Sequence, residues 1–287
     1  MRRLIVNADD FGLTTGVNRA IAELHDQGKL TSATLMARAS ATEVAITQSL
    51  TTPSLGVGCH VVLIDGEPVL PPSEIPTLTD PRTGRFHRTP SSFLRRALTG
   101  SIRAAEIEAE AEAQIGLLQG RGLRLTHIDT HKHTHMFPAV LRPVLRAARS
   151  AGIGAVRNPF EPAWSRRATT HAPFFRRIEV SLLHWLEPAF RRMVAEYGVR
   201  TTGGAIGVLA TGTLDATALR TLLTKIPRGT WELVTHPGYN DGDLAQVHTR
   251  LRESRETEFQ ALKSMGEIDG VDLISFAQAT ADAGLVE

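Results

Sequence analysis

Short apolar runs of strand length alternate with segments of helical spacing along nearly the whole chain, and that alternation limits the fold more than any other feature. Leu4 to Asn7 reads as a short buried strand, and Gly16 to Gln27 as a helix with Val17, Ile21 and Leu24 in register and Gly28 as its C-cap. Strands at Leu30 to Met36 and Leu55 to Leu63 flank a helix at Ala41 to Leu50. Helices follow at Ser92 to Thr99 and Ile102 to Gln119, then a His-rich strand and a helix from Pro138 to Ser150. The remainder reads as a short strand at Gly154 to Arg157, a long helix at Arg176 to Tyr197 and a Gly-rich strand at Thr201 to Leu209. A helix at Asp215 to Ile226 has Asp215 near its N-cap. It is followed by a strand at Trp231 to Thr235, a helix at Thr249 to Met265, a strand at Val271 to Ile274 and a closing helix at Phe276 to Ala283. Strands followed by helices signal a mostly parallel sheet. With about seven strands and no shift of composition between the halves, an irregular, TIM-like (β/α) barrel in a single domain fits better than an open sheet. The 287 residues are ample for its core.

Two stretches break the rhythm. Ile64 to Pro90 is rich in proline and too long for an ordinary connection, which predicts a functional loop or lid. Asn158 to Phe175 is irregular and aromatic, with Trp164 a candidate to stack on a substrate. The acidic run Glu106, Glu108, Glu110 and Glu112 reads most simply as a solvated helix face. A net charge of +2, with arginines scattered among acids, argues against nucleic acid as a partner. The single cysteine, Cys59, rules out an internal disulfide framework and fits a reducing compartment. Asn7, Asp9 and Asp10 interrupt the apolar start before a signal peptide can form, and no stretch approaches a membrane span, so a cytoplasmic location is expected.

In a parallel barrel, chemistry collects at the C-terminal ends of the strands, and there this chain places its unusual polar residues. Asp9 and Asp10 follow the first strand, His60 ends the third, Arg157 the fifth, and His236 the strand from Trp231. Four of the eleven histidines, His127, His131, His133 and His135, fall within nine residues after the fourth. Strand periodicity puts His127, Asp129 and His131 on one face. Two imidazoles and one carboxylate suffice for a divalent ion, and these ligand types admit zinc, manganese or ferrous iron. Both aspartates reach one site only if the chain turns there, which Gly12 permits; one would bind metal and the other act as base. Thr14 or Thr15 can cap the following helix in their place. Arg157 can orient Asp9 by a bidentate pair. His236, extended because Pro237 follows it, can project from its strand end. His25, His87, His171, His184 and His248 lack such partners and read as surface or structural residues.

The segments Val6 to Gly12, Gly56 to Leu63, Thr126 to His131 with His133, His135 and Pro138, and His236-Pro237-Gly238-Tyr239 together resemble the YdjC/ChbG-like carbohydrate deacetylases, in family order and across nearly the whole chain. The resemblance implies an irregular (β/α) barrel that removes acetyl groups from N-acetylated sugars such as chito-oligosaccharides, using one divalent metal ion, magnesium in this family, and acting as a possible homodimer. It puts the metal ligands on Asp10, His60 and His131 and the base on Asp9. By analogy with more distant polysaccharide deacetylases, His236 is the general acid. Arg157 joins the catalytic set, and His133, Trp164 and Tyr239 are the expected contacts to the saccharide. Lys132 departs from the family pattern, standing where a histidine is usual, and Thr130 where serine is frequent. The competing readings are a two-metal phosphoesterase using both His131 and His133, and a non-catalytic sugar-binding barrel; a base beside the metal separates the last from an enzyme.

Overall fold

The computed structural model describes residues 1–170 and 172–281, so His171 and the end of the helix expected to Ala283 lie outside the described residues. Its strands are β1 (Arg2–Phe11), β2 (Ser32–Leu35), β3 (Gly56–Val61), β4 (Ile128–Thr130), β5 (Ala205–Ile206), β6 (Gly229–Thr235) and β7 (Asp272–Leu273). Every pairing between them is parallel, in the order β4-β3-β2-β1-β6-β5, with β7 beside the start of β1. The sheet curls into an irregular half-barrel, α/β in class, with helices packed outside it. Parallel bridges from Ile128 to Val156 and from Ala155 to Arg200 continue it past β4. A bond from the Gly203 N–H to the Thr230 carbonyl, 2.8 Å, leads it back towards β6. The strand expected at Gly154 to Arg157 is thus reduced to bridges. That at Thr201 to Leu209 shrinks to two residues, because Gly204 and Gly207 take φ of 156° and 85° and cannot continue an extended run.

β1 runs past Asn7, where its apolar pattern stops, and carries the buried Asn7, Asp9 and Asp10 with it. Its register against β2 shifts between Ala8 and Phe11, where Asp10 adopts φ of 62°. The turn that brings both aspartates to one side is therefore made at Asp10 itself, with Gly12 (φ 91°) completing it. The helix Thr15–Asp26 is capped by Thr14, whose side chain accepts from the Val17 N–H, so neither aspartate is needed as a cap. Asp215 caps Ala216–Leu223 in the same way. The helix expected from Arg176 to Tyr197 is instead two, Phe174–Leu183 and Glu187–Glu196, joined by a 3₁₀ turn at His184–Leu186. Pro188, in the first turn of the second, has no N–H to carry a continuous helix through that point.

The acidic run is a second correction. In the helix Ala104–Gly120, Glu106 and Glu110 are buried, one turn apart on the face carrying Gln114. Glu110 accepts the N–H groups of Val69 and Leu70 at 2.8 and 3.0 Å, and Glu106 the N–H and hydroxyl of Thr77 at 2.7 Å each. Gln114 bonds both backbone groups of Val62. Hydrogen bonds to carboxylates contribute about 1.5–3 kcal/mol each, so the 64–90 segment is sewn onto the barrel wall, with Ile75, Leu78 and Phe86 buried beneath it. Among the described residues no helix is long and apolar enough to cross a membrane.

Candidate active site

The ends of β1, β3 and β4 bring three acceptor atoms together. Asp10 Oδ1 lies 3.4 Å from His60 Nε2 and 3.2 Å from His131 Nδ1, and the two imidazole nitrogens are 3.2 Å apart. His60 Nδ1 sits 2.7 Å from Asp129 Oδ1, which makes Nδ1 the donor and leaves Nε2 as a lone pair aimed at the other two. The second oxygen of Asp10 accepts from Arg255 at 2.5 Å, while Oδ1 is buried and, apart from the two imidazole nitrogens, meets no donor among the described residues. Three lone pairs so close repel one another without a positive charge between them, so Asp10, His60 and His131 could hold a divalent cation. The electrostatics agree. Burial opposes a charged imidazole at His60, but Asp129 and Asp10 outweigh it and push the ring up to about 10, so the site stabilises positive charge at Nε2, supplied by a proton or by a cation in its place. Burial likewise opposes the Asp10 carboxylate, yet Arg255 and the two histidines hold it well below the ordinary range. A second group, Asp9, His60 and Asp129, is also close enough to ligate an ion. Its oxygens are already engaged by Arg157 and by His60 Nδ1, which leaves the first as the fitting one.

Asp9 is buried behind this cluster. Arg157, wholly buried, grips it through two bonds of 2.8 and 2.6 Å, and Asn7 and Thr34 add contacts at 3.1 and 3.3 Å. Burial alone would raise Asp9, but the Arg157 guanidinium, with His60, holds it below the usual carboxylate range. The same guanidinium pairs closely with Asp129. His236, after β6, has Nε2 3.8 Å from Asp9 Oδ2. Glu258 accepts its backbone N–H at 2.6 Å and lies 3.7 Å from its Nδ1.

The His-rich stretch divides. His131 leaves the strand in a 3₁₀ turn, His131–Met136, and does not continue the face that carries Asp129. His127 is a core residue: it stacks on Phe276 at 3.8 Å and on Gly58, where a Cβ would come within 2.6 Å of the ring. Burial pushes His127 down to about 3. His135 braces Thr130 and the Arg157 carbonyl. His133 is outside both ion-sized groups, and its buried Nδ1 has no hydrogen-bond partner among the described residues. Lys132, in the departing position, pairs with Asp65 of the 64–90 segment at 2.7 Å. Asp10, Asp65, Lys132 and His133 are the four non-glycine residues with positive φ among those described, each at a cost of about 1–3 kcal/mol. The strain therefore gathers where three loops meet beside the lone-pair cluster.

Two expected saccharide contacts are elsewhere. Trp164 packs edge-on against Trp231 at 5.3 Å. Glu232 points inward to Arg157, so its neighbour Trp231 points outward, and Trp164 lies against the outer wall. Tyr239 bonds Glu23 through its hydroxyl, carries Arg19 3.8 Å over its ring and packs on Phe259, fastened between the helices Thr15–Asp26 and Ser254–Lys263. Arg255, Glu258 and Glu232 are the site residues that sequence reasoning missed. Arg255 and Glu258 sit three apart among other charges in a helix, and only their full burial distinguishes them. Glu232 carried a weak signal, a lone acid inside an apolar strand.

Residues 3–266 match the YdjC-like protein family. A Brevibacillus brevis protein named carbohydrate deacetylase is 44% identical over 158 residues, 55% of this chain and 60% of that protein. One of the same name from Thermoanaerobacter pseudethanolicus is 25% identical over 265 residues, 91% of each. A solved structure from Enterococcus faecalis V583, assigned to cellobiose-phosphate cleavage, superimposes with a TM-score of 0.74 at 25% identity, covering 96% of this chain and 98% of that one.

Proposed function

The chain belongs to the YdjC-like family, and from that premise we propose that it is a carbohydrate deacetylase, a metal-dependent hydrolase removing N-acetyl groups from amino sugars such as chito-oligosaccharides. One observation carries the reading: three converging acceptor atoms on Asp10, His60 and His131 stand beside an ionised carboxylate, Asp9, and an imidazole, His236, 3.8 Å from it. A sugar-binding barrel has no use for a base buried next to a cation site.

Amide hydrolysis needs a base for the attacking water and a separate acid for the departing amine. A divalent cation on Asp10, His60 and His131, magnesium by family resemblance and zinc or another transition metal by ligand type, would polarise the acetyl carbonyl and acidify water. Asp9 accepts the proton of the attacking water. Arg157 fixes the direction of that carboxylate and keeps it charged; it also keeps it a weak base, suited to acidified water only. His236 gives its proton to the amine nitrogen as the C–N bond breaks, and Glu258 sets the position of its ring. His133, half-buried in the turn beside the cluster, is the histidine we assign to contact a sugar hydroxyl. The 64–90 segment, held by Glu106, Glu110 and the Lys132–Asp65 pair, walls the mouth.

The proposal includes a cytoplasmic location and a homodimer. For the dimer, the helix Phe174–Leu183 has no buried residue, and Phe175, Ile178, Leu182 and Trp185 follow the spacing of a helix–helix seam, with Trp185 86% exposed. The test of function is acetate release from diacetylchitobiose and longer N-acetylated chito-oligosaccharides, as purified, after chelation, and after magnesium or zinc is restored. Release that chelation abolishes and metal restores is expected, with Asp9→Asn lowering kcat by about 10²–10⁴. No release with any metal would refute the proposal.

A further inference from the structure

Arg157 serves three carboxylates. Besides Asp9 and Asp129, its Nε and Nη2 both reach Oε1 of Glu232, at 2.7 Å each. Glu232 is on β6, completely buried, and takes no part in the reaction as derived above. Its other oxygen, Oε2, has no hydrogen-bond partner among the described residues. The charged groups facing it are Arg157, Asp9 and Asp129, while its register partners Ile5 on β1 and Ala205 on β5 bring none. With all three carboxylates ionised, one guanidinium would face a buried excess of negative charge. Such a cluster relieves itself by holding a proton. Asp9 has both oxygens on Arg157, and Asp129 has Arg157 on one and His60 on the other. Only Glu232 keeps a bare oxygen, so the proton belongs on its Oε2. Burial, only partly offset by Arg157, pushes Glu232 up to about 7, in agreement with the geometry.

We infer that Glu232 is a titratable positioning residue for the base: protonated, it leaves Arg157 to Asp9; ionised, it competes for the guanidinium and raises the proton affinity of Asp9. The catalytic consequence rests on the deacetylase reading, whereas the proton on Glu232 does not. Two carboxylates across one guanidinium, roughly 5–6 Å apart, shift each other by about 2 pKa units at an effective dielectric of ~20. Carried half-way into the transition state, that makes Asp9 about three- to tenfold more effective once Glu232 ionises.

Glu232→Gln preserves the shape and acceptor of the protonated side chain and cannot ionise. With magnesium and diacetylchitobiose, the variant should match the wild type within about twofold at pH ~5.5 and fall three- to tenfold behind in kcat at pH ~8.5, with KM unchanged. A wild-type to variant ratio independent of pH would overturn the inference, since a purely structural role predicts that ratio. Carbon-13 NMR of glutamate-labelled protein supplies a readout free of substrate. One carboxyl should titrate between pH ~6 and ~8 in the wild type and be missing from the variant; its absence from the wild type would also overturn the inference. A titrating carboxyl in a protein that releases no acetate would uphold the proton on Glu232 and refute the deacetylase reading alone.

Discussion

Replacing Arg157 by methionine should make the stability of this protein fall much more steeply as pH rises. Arg157 is wholly buried and holds Asp9, Asp129 and Glu232 at once. In the wild type only Glu232, at about 7, lies above its ordinary value and loses stability as pH rises, whereas Asp9 and Asp129 lie below theirs. Their pairing therefore stabilises the fold above the unfolded aspartate pKa of about 3.9 and is lost only as pH falls through the lower folded values. Without the guanidinium, burial dominates and all three carboxylates rise above their unfolded values. Groups raised in the folded state contribute stability below the unfolded pKa and lose it as pH climbs through the folded one. Removing one partner of a buried pair costs about 3–5 kcal/mol. For a chain of this size, that is a Tm lowered by roughly 6–15 °C near pH 7.5, with about half of the deficit recovered near pH 5. Thermal unfolding followed by circular dichroism from pH 4.5 to 8.5 measures both quantities. A deficit that is flat with pH, or smaller than about 1 kcal/mol, would show that the three carboxylates do not depend on Arg157 and would remove the electrostatic basis given for Asp9.

Two further substitutions separate neighbouring residues. His131→Ala should weaken magnesium or zinc binding by about 10²-fold or more in isothermal titration, while His133→Ala stays within about threefold; equal losses would favour a two-ion site instead. Glu110→Ala removes the acceptor for the Val69 and Leu70 N–H groups. It should cost about 2–4 kcal/mol and speed limited proteolysis within residues 64–90, whereas unchanged cleavage would mean that the segment is held by its buried apolar residues alone.

Much of this molecule was legible in one dimension. The strand and helix alternation depends on periodicities of two and 3.6, which are local, and the helix 138–150 is found where its proline and apolar spacing put it. Asp9, Asp10, His60, His131, Arg157 and His236 stood out because polar residues at the ends of apolar strands have few structural uses. The limits of β1 did not, because an Asn-Ala-Asp-Asp run ends a strand unless something distant compensates its burial. For the same reason Glu106 and Glu110 read as solvated. A buried carboxylate and an exposed one look alike until the groups that donate to them are known, and those lie 29 to 41 residues away.

What the sequence determined by itself, then, is the parallel architecture and the residue types gathered at one rim, since both follow from the chain's own spacing. Only the tertiary structure decided the pairing. Arg157 meets Asp9 across 148 residues, Arg255 meets Asp10 across 245, and Trp164 turns to the outer wall against Trp231. Which charge neutralises which, and which carboxylate is left to hold a proton, is settled by curling the sheet until β1, β4 and β6 face a common interior, and no local pattern carries that information.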